Sequence, residues 1–184
     1  MSHLFKGQAL TLVRGGRLLF EGLDLHLAAG EALHVTGPNG SGKSSLIRLA
    51  AGLLNPNAGW IDRVAVSMAD ESLSLDRELP LGRALAFWNG PLLQQAITAF
   101  ALDALAHVPV RLLSTGQAKR ATLARVMASG NQLWLLDEPL NGLDRKGVEE
   151  LDAAILAHRK AGGAVLAASH LPIGGEWRTL ELGA

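Results

Sequence analysis

Gly37-Pro38-Asn39-Gly40-Ser41-Gly42-Lys43-Ser44 is the stretch from which the rest of the chain is read. Before it runs the apolar segment Ala32–Thr36, which predicts a buried strand. After it, from Lys43 to about Leu53, Leu46, Ile47, Leu49 and Ala50 recur at helical spacing. A Gly-rich loop between a strand and a helix is the setting in which G-x-x-x-x-G-K-[ST] holds phosphate. The glycines let the backbone curl until successive N–H groups face the phosphate oxygens. The following helix adds its positive end. Gly37 to Ser45 are therefore the candidate nucleotide cradle. Lys43 neutralises the β- and γ-phosphates, and the Ser44 hydroxyl is a candidate Mg²⁺ ligand.

Downstream, Leu133-Trp-Leu-Leu-Asp137-Glu138 is an apolar run closed by two carboxylates. Such a strand carries Asp137 to the mouth of a sheet, where its oxygens fit the Mg²⁺ shell of a bound nucleotide. Glu138, one residue on, points differently and is the candidate general base for an attacking water.

The remaining segments follow from patterning. Gln8–Val13, Leu18–Phe20 and Leu23–Leu27 predict short strands, the first two parted by Gly15-Gly16. Trp60–Ser67 predicts another. Residues 70–80 are polar and predict an exposed loop. Leu81–Asn89 and Leu92–His107 predict two helices broken at Gly90-Pro91. Gly116 to about Ala128 and Lys146–Ala161 predict further helices. Ala164–Ala168 and Glu176–Leu182 predict strands, the first ending near His170. The order is a β-rich start, a nucleotide core, a helical insertion and a return to the core.

Composition narrows the class. Lys+Arg and Asp+Glu are both 17, which points away from a nucleic-acid binder or a polybasic membrane anchor. Cysteine is absent, so disulfides and thiolate metal sites are excluded. The first residues lack the apolar core of a signal peptide, and no run of about 18 apolar residues predicts a bilayer span. The 48% hydrophobic content fits either a buried parallel sheet or apolar surface covered by a partner.

Leu113-Ser-Thr-Gly-Gln117 resembles the LSGGQ signature of ATP-binding-cassette ATPases, with Thr115 in place of the first glycine. The bare local alternative is a helix N-cap at Ser114 or Thr115. Asn141-Gly-Leu-Asp144 resembles the family's D-loop, and His170 its switch histidine. The resemblance covers residues 8–182. It implies an α/β fold of the P-loop type: a mostly parallel core sheet, an N-terminal antiparallel β subdomain and a small helical subdomain. One domain spans 1–184, with 1–69 and 131–184 as core and about 70–130 as the helical part. It also implies that Ser114, Gly116, Gln117 and Asp144 act on ATP held by a second copy, in a head-to-tail homodimer. His170 would contact the γ-phosphate and orient the water that Glu138 activates.

Phrases around Arg14–Leu23, Ala84–Trp88, Gln132–Pro139 and Gly162–Val165 are similar to the haem-exporter ATPase of bacterial cytochrome c maturation. That resemblance implies integral membrane partners, a peripheral place on the cytoplasmic side of the inner membrane, and no haem binding by the chain itself. A soluble cassette ATPase, another small exporter's subunit, and a cassette that binds ATP but scarcely turns it over stay open. Kinase and GTPase readings leave Leu113–Gln117 unexplained. Two departures stand out. The family's Mg²⁺-ligating glutamine is missing from Val66–Ser72, where Asp70 or Glu71 is the nearest oxygen donor. No Tyr is present to stack on adenine, and Arg14 sits near that place.

Overall fold

The computed structural model describes residues 3–72, 75–88 and 90–183. Two sheets divide the strands. The first is antiparallel: β1 (His3–Arg14), β2 (Arg17–Ala28) and β4 (Ala58–Arg63), in the order β2-β1-β4. Between them in sequence comes β3 (Ala32–Thr36). The second sheet is parallel: β5 (Val66–Ala69), β6 (Leu133–Asp137), β7 (Ala164–Ala168) and β8 (Arg178–Glu181) join β3 in the order β5-β6-β7-β3-β8. Among the described residues five α-helices accompany them: α1 (Lys43–Ala50), α2 (Leu81–Ala86), α3 (Leu93–Ala99), α4 (Thr115–Ala128) and α5 (Arg145–Lys160).

Alternation along the central strands explains the layering. Leu133 and Leu135 of β6 turn into one apolar cluster, shared with α1 and the antiparallel sheet. Trp134 and Leu136 turn into the other, shared with α2 to α5. Both faces of the sheet are covered, which is why β6 and β7 read as unbroken apolar runs.

Several expectations need correcting. The predicted short strands at the start are two 12-residue strands with bulges, joined where Gly15 and Gly16 take φ of 56° and 76°. Positive φ at both turn residues matches the twist of the flanking strands. Trp60–Ser67 is not one strand. The chain leaves the antiparallel sheet after Arg63 and enters the parallel sheet at Val66. The helix from Lys43 stops at Ala50, not Leu53. Gly52 takes a φ of 76° and Leu53 N–H donates to Arg48 O at 2.9 Å, closing the helix end. Leu92–His107 breaks after Ala99: Ala101 has a φ of 48°, and a single 3-10 turn follows at Asp103–Leu105. Leu81–Asn89 is helical only to Ala86, and Asn89 lies outside the described residues. The loop at 70–80 is mostly exposed, but Leu75 is buried in the helical cluster, while Leu73 and Ser74 lie outside the description. Among the described residues no helix is long and apolar enough to cross a membrane.

Candidate active site

The parallel strands β3 and β6 end beside one another's loops, at the edge where α1 begins. There Gly37 to Ser45 wrap a cleft of about 460 Å³ lined by Asn39, Gly40, Gly42, Lys43, Ser44, Ser45 and Glu138. Gly37 has a φ of 134°, and a Cβ on it would lie 2.2 Å from Leu182 O. Only glycine fits that close approach. Lys43 is 7% exposed, and its Nζ donates to Gly37 O at 2.7 Å and Pro38 O at 3.1 Å. Ser41 is buried, and its Oγ has no hydrogen-bond partner among the described residues. The ammonium and the orphaned hydroxyl both belong to a loop shaped to receive an acceptor-rich group.

Ser44 Oγ donates to Asp137 Oδ1 at 2.9 Å, so the first turn of α1 meets the end of β6. Burial raises the pKa of Asp137; the Ser44 bond and the Arg48 charge oppose the rise, and Glu138 and Asp70 add to it. A neighbouring cavity is lined by Ser44, Arg48, Asp70, Glu71, Asp137 and Glu138. Its carboxylate and hydroxyl oxygens are the donor set that a hard divalent ion such as Mg²⁺ takes. Asp70 and Glu71, which follow β5, thus share a cavity with Ser44 and Asp137.

The raised pKa of Asp137 has a sign that can be tested. The unfolded chain releases this proton at lower pH than the folded one. Stability is therefore lost as pH rises through the raised value, and the ionised group opposes folding at neutral pH. Asp137→Asn keeps an acceptor for Ser44 and removes the buried charge. It is expected to hold or raise the Tm while abolishing ATP turnover. A Tm clearly below that of the parent chain would contradict the electrostatic reading.

Glu138 has a φ of 46°, a left-handed conformation unusual for a residue with a side chain. Its N–H donates to Ala168 O at 2.8 Å, and its carbonyl accepts from Lys119 Nζ at 2.8 Å. His170 follows β7, and its Nδ1 lies 2.8 Å from Glu138 Oε2. In the tautomer with its proton on Nδ1, the ring donates to this carboxylate. The carboxylate is 18% exposed and the imidazole 53%. A shielded carboxylate that lines the cleft thus meets a more accessible ring.

Other sequence candidates do not converge here. Ser114, Gly116, Gln117 and Asp144 are not among the residues lining the Lys43 cleft. Ser114 caps α4: its Oγ accepts from Gln117 N–H at 3.3 Å, while Gln117 Oε1 accepts from Ser114 N–H at 2.9 Å. This reciprocal cap fixes an exposed helix start and leaves the Ser114 hydroxyl proton free to donate. Losing the cap by Ser114→Ala is expected to cost about 1 kcal/mol in a urea titration. An unchanged midpoint would deny the cap its weight. Asp144 caps α5 through Gly147 N–H at 2.8 Å. Arg14 does line the cleft. Lys119 escaped the sequence reading altogether. It is 9% exposed, and burial lowers its pKa against the raising effect of Glu71, Asp137, Asp70 and Glu138.

A Gly-rich loop between strand and helix on a parallel sheet, a carboxylate pair at the end of β6, and a capped helix start outside the Lys43 cleft match a P-loop ATPase of the ATP-binding-cassette class. The family model described as ABC transporter matches residues 20–141, and the chain belongs to that family. Membership of that family implies ATP binding and hydrolysis. It is similar to the cytochrome c biogenesis ATP-binding export protein CcmA of Sphingopyxis alaskensis, at 52% identity over 94% of this chain and 93% of that one. The protein of the same name from Novosphingobium aromaticivorans is 56% identical over 87% of this chain and 85% of its own length. Among solved structures, an ATP-binding subunit of an ABC transporter matches with a TM-score of 0.84 at 21% identity, over 98% of this chain and 88% of that one.

Proposed function

We propose that the chain is the ATP-hydrolysing subunit of a membrane export complex that serves cytochrome c maturation by handling haem. The observation that carries the hydrolytic part is the contact between His170 and Glu138 at 2.8 Å, at the rim of the cleft that holds Lys43 and Ser44. The export role is supported by relatives known as cytochrome c biogenesis export proteins, which match nearly end to end.

The residues divide the work as follows. The backbone of Gly37 to Ser45 and the Lys43 ammonium hold the triphosphate. Ser44 and Asp137 would hold Mg²⁺, which supplies charge neutralisation on the phosphate oxygens. Glu138 takes a proton from water as the water oxygen bonds to the γ-phosphorus. The bond from that phosphorus to the β–γ bridging oxygen breaks, giving ADP and phosphate. His170, holding Oε2, fixes where the free carboxylate oxygen points. Ser114, Gly116, Gln117 and Asp144 complete the site of a second copy, so ATP binding draws two chains together head to tail.

Residues 70–130 form the helical arm through which the chain docks on its membrane partners. A groove between this arm and the sheet supports that reading. Leu53, Met68 and Trp88 line it among polar residues such as Asp70, Arg125 and Asn131; Leu53 is 66% exposed, and Phe87, next to Trp88, is 79% exposed. Such exposed apolar side chains are what a partner covers. The test is purification of the tagged chain from gently solubilised native membranes, with co-purifying proteins identified by mass spectrometry. Polytopic haem-export proteins are expected. A chain that comes alone, or with nucleic-acid proteins, would overturn the export role.

A further inference from the structure

The buried ammonium of Lys119 reaches the backbone of Glu138 from the helix that begins at the signature motif. We propose that Lys119 is a positioning residue for Glu138, the tie through which the signature helix of a subunit sets the hydrolytic carboxylate of that same subunit. This rests on the hydrolytic role of Glu138 proposed above.

Glu138 needs holding. A left-handed φ of 46° is costly for a residue with a Cβ, about 1–3 kcal/mol, and persists only where neighbours over-determine it. The ties come from both sides of the sheet edge: Ala168 O accepts from its N–H, and Lys119 Nζ donates to its carbonyl, each at 2.8 Å. Lys119 is one helical turn beyond Thr115, so a shift of α4 at its exposed start moves Nζ with it. Asp70 and Glu71 line a pocket with Lys119, which places it beside the end of β5 as well as against Glu138. Lys119 does not line the Lys43 cleft, so its effect falls on turnover and not on nucleotide affinity.

The test compares kcat and KM for ATP in Lys119→Met, Lys119→Arg and Glu138→Gln of the full chain, with thermal unfolding of each. Lys119→Met is expected to lower kcat about 10- to 100-fold, the scale of a misplaced catalytic group. Its KM should stay within about threefold of the parent's. Lys119→Arg, which keeps the charge and the donors, is expected to recover most of kcat. A Met variant with a lowered Tm but normal kcat would overturn the proposal, as would an effect on KM alone. If Lys119→Met does not fold, Lys119→Gln is judged by the same split. Normal turnover in Glu138→Gln would defeat the hydrolytic reading itself. Lost turnover there beside a normal kcat in Lys119→Met would defeat only the positioning role.

Discussion

Glu138→Gln is expected to cut ATP turnover by about 10²–10⁴-fold while ATP stays bound, because the change removes a general base and little else. The side chain is isosteric, and its amide oxygen still accepts from His170 Nδ1, now 2.8 Å from Glu138 Oε2. The backbone ties to Ala168 and Lys119 involve no side-chain atom of Glu138, so the left-handed turn survives the exchange. What disappears is an oxygen able to take the proton of the attacking water. Phosphate release under saturating ATP measures the loss, and equilibrium dialysis measures the retained nucleotide. Turnover close to that of the parent chain would remove Glu138 from the role.

Lys43→Ala acts earlier, on binding itself. Its ammonium is buried against the carbonyls of Gly37 and Pro38, so it stands inside the loop. Hydrogen bonds to a charged group contribute about 1.5–3 kcal/mol each. The loss of one or two to phosphate weakens ATP affinity by about 10²-fold or more. Alanine is a good helix former at the first position of α1, so the helix persists. Unchanged ATP affinity in this variant would contradict the cradle.

How much of this was legible in the sequence depends on where the information lies. The phosphate loop, β6 and α5 are local patterns, and each lies within a residue or two of its expected bounds. Gly52 marked the end of α1 in plain view, since a glycine just past a helical run favours the left-handed turn found there. The division of Trp60–Ser67 was not local. Ile61 pairs with Gly7 in one sheet and Met68 with Leu135 in the other, and nothing at Val64 or Ala65 announces the change. The short stop of α3 at Ala99 is instead local, with Thr98 and Gln94 both donating to Asp103 just beyond the helix. In the site, residues inside motifs were found by their spacing. Lys119 was missed because a lysine after a signature motif reads as a solvated helix face. Only the fold shows it buried against Glu138.

The signature residues raise the central question, since Ser114 and Gly116 do not line their own chain's cleft. Mixing two inactive variants answers it directly. Lys43→Ala spoils a cradle and Ser114→Arg spoils a signature, and each alone spoils both sites of a symmetric dimer. In a head-to-tail mixed dimer, one site collects both defects and the other pairs an intact cradle with an intact signature. ATPase activity is therefore expected to reappear on mixing the two inactive proteins. If activity stays absent in verified mixed dimers while the parent chain turns over normally, the site is completed within one chain, and the account of two subunits sharing each ATP is wrong.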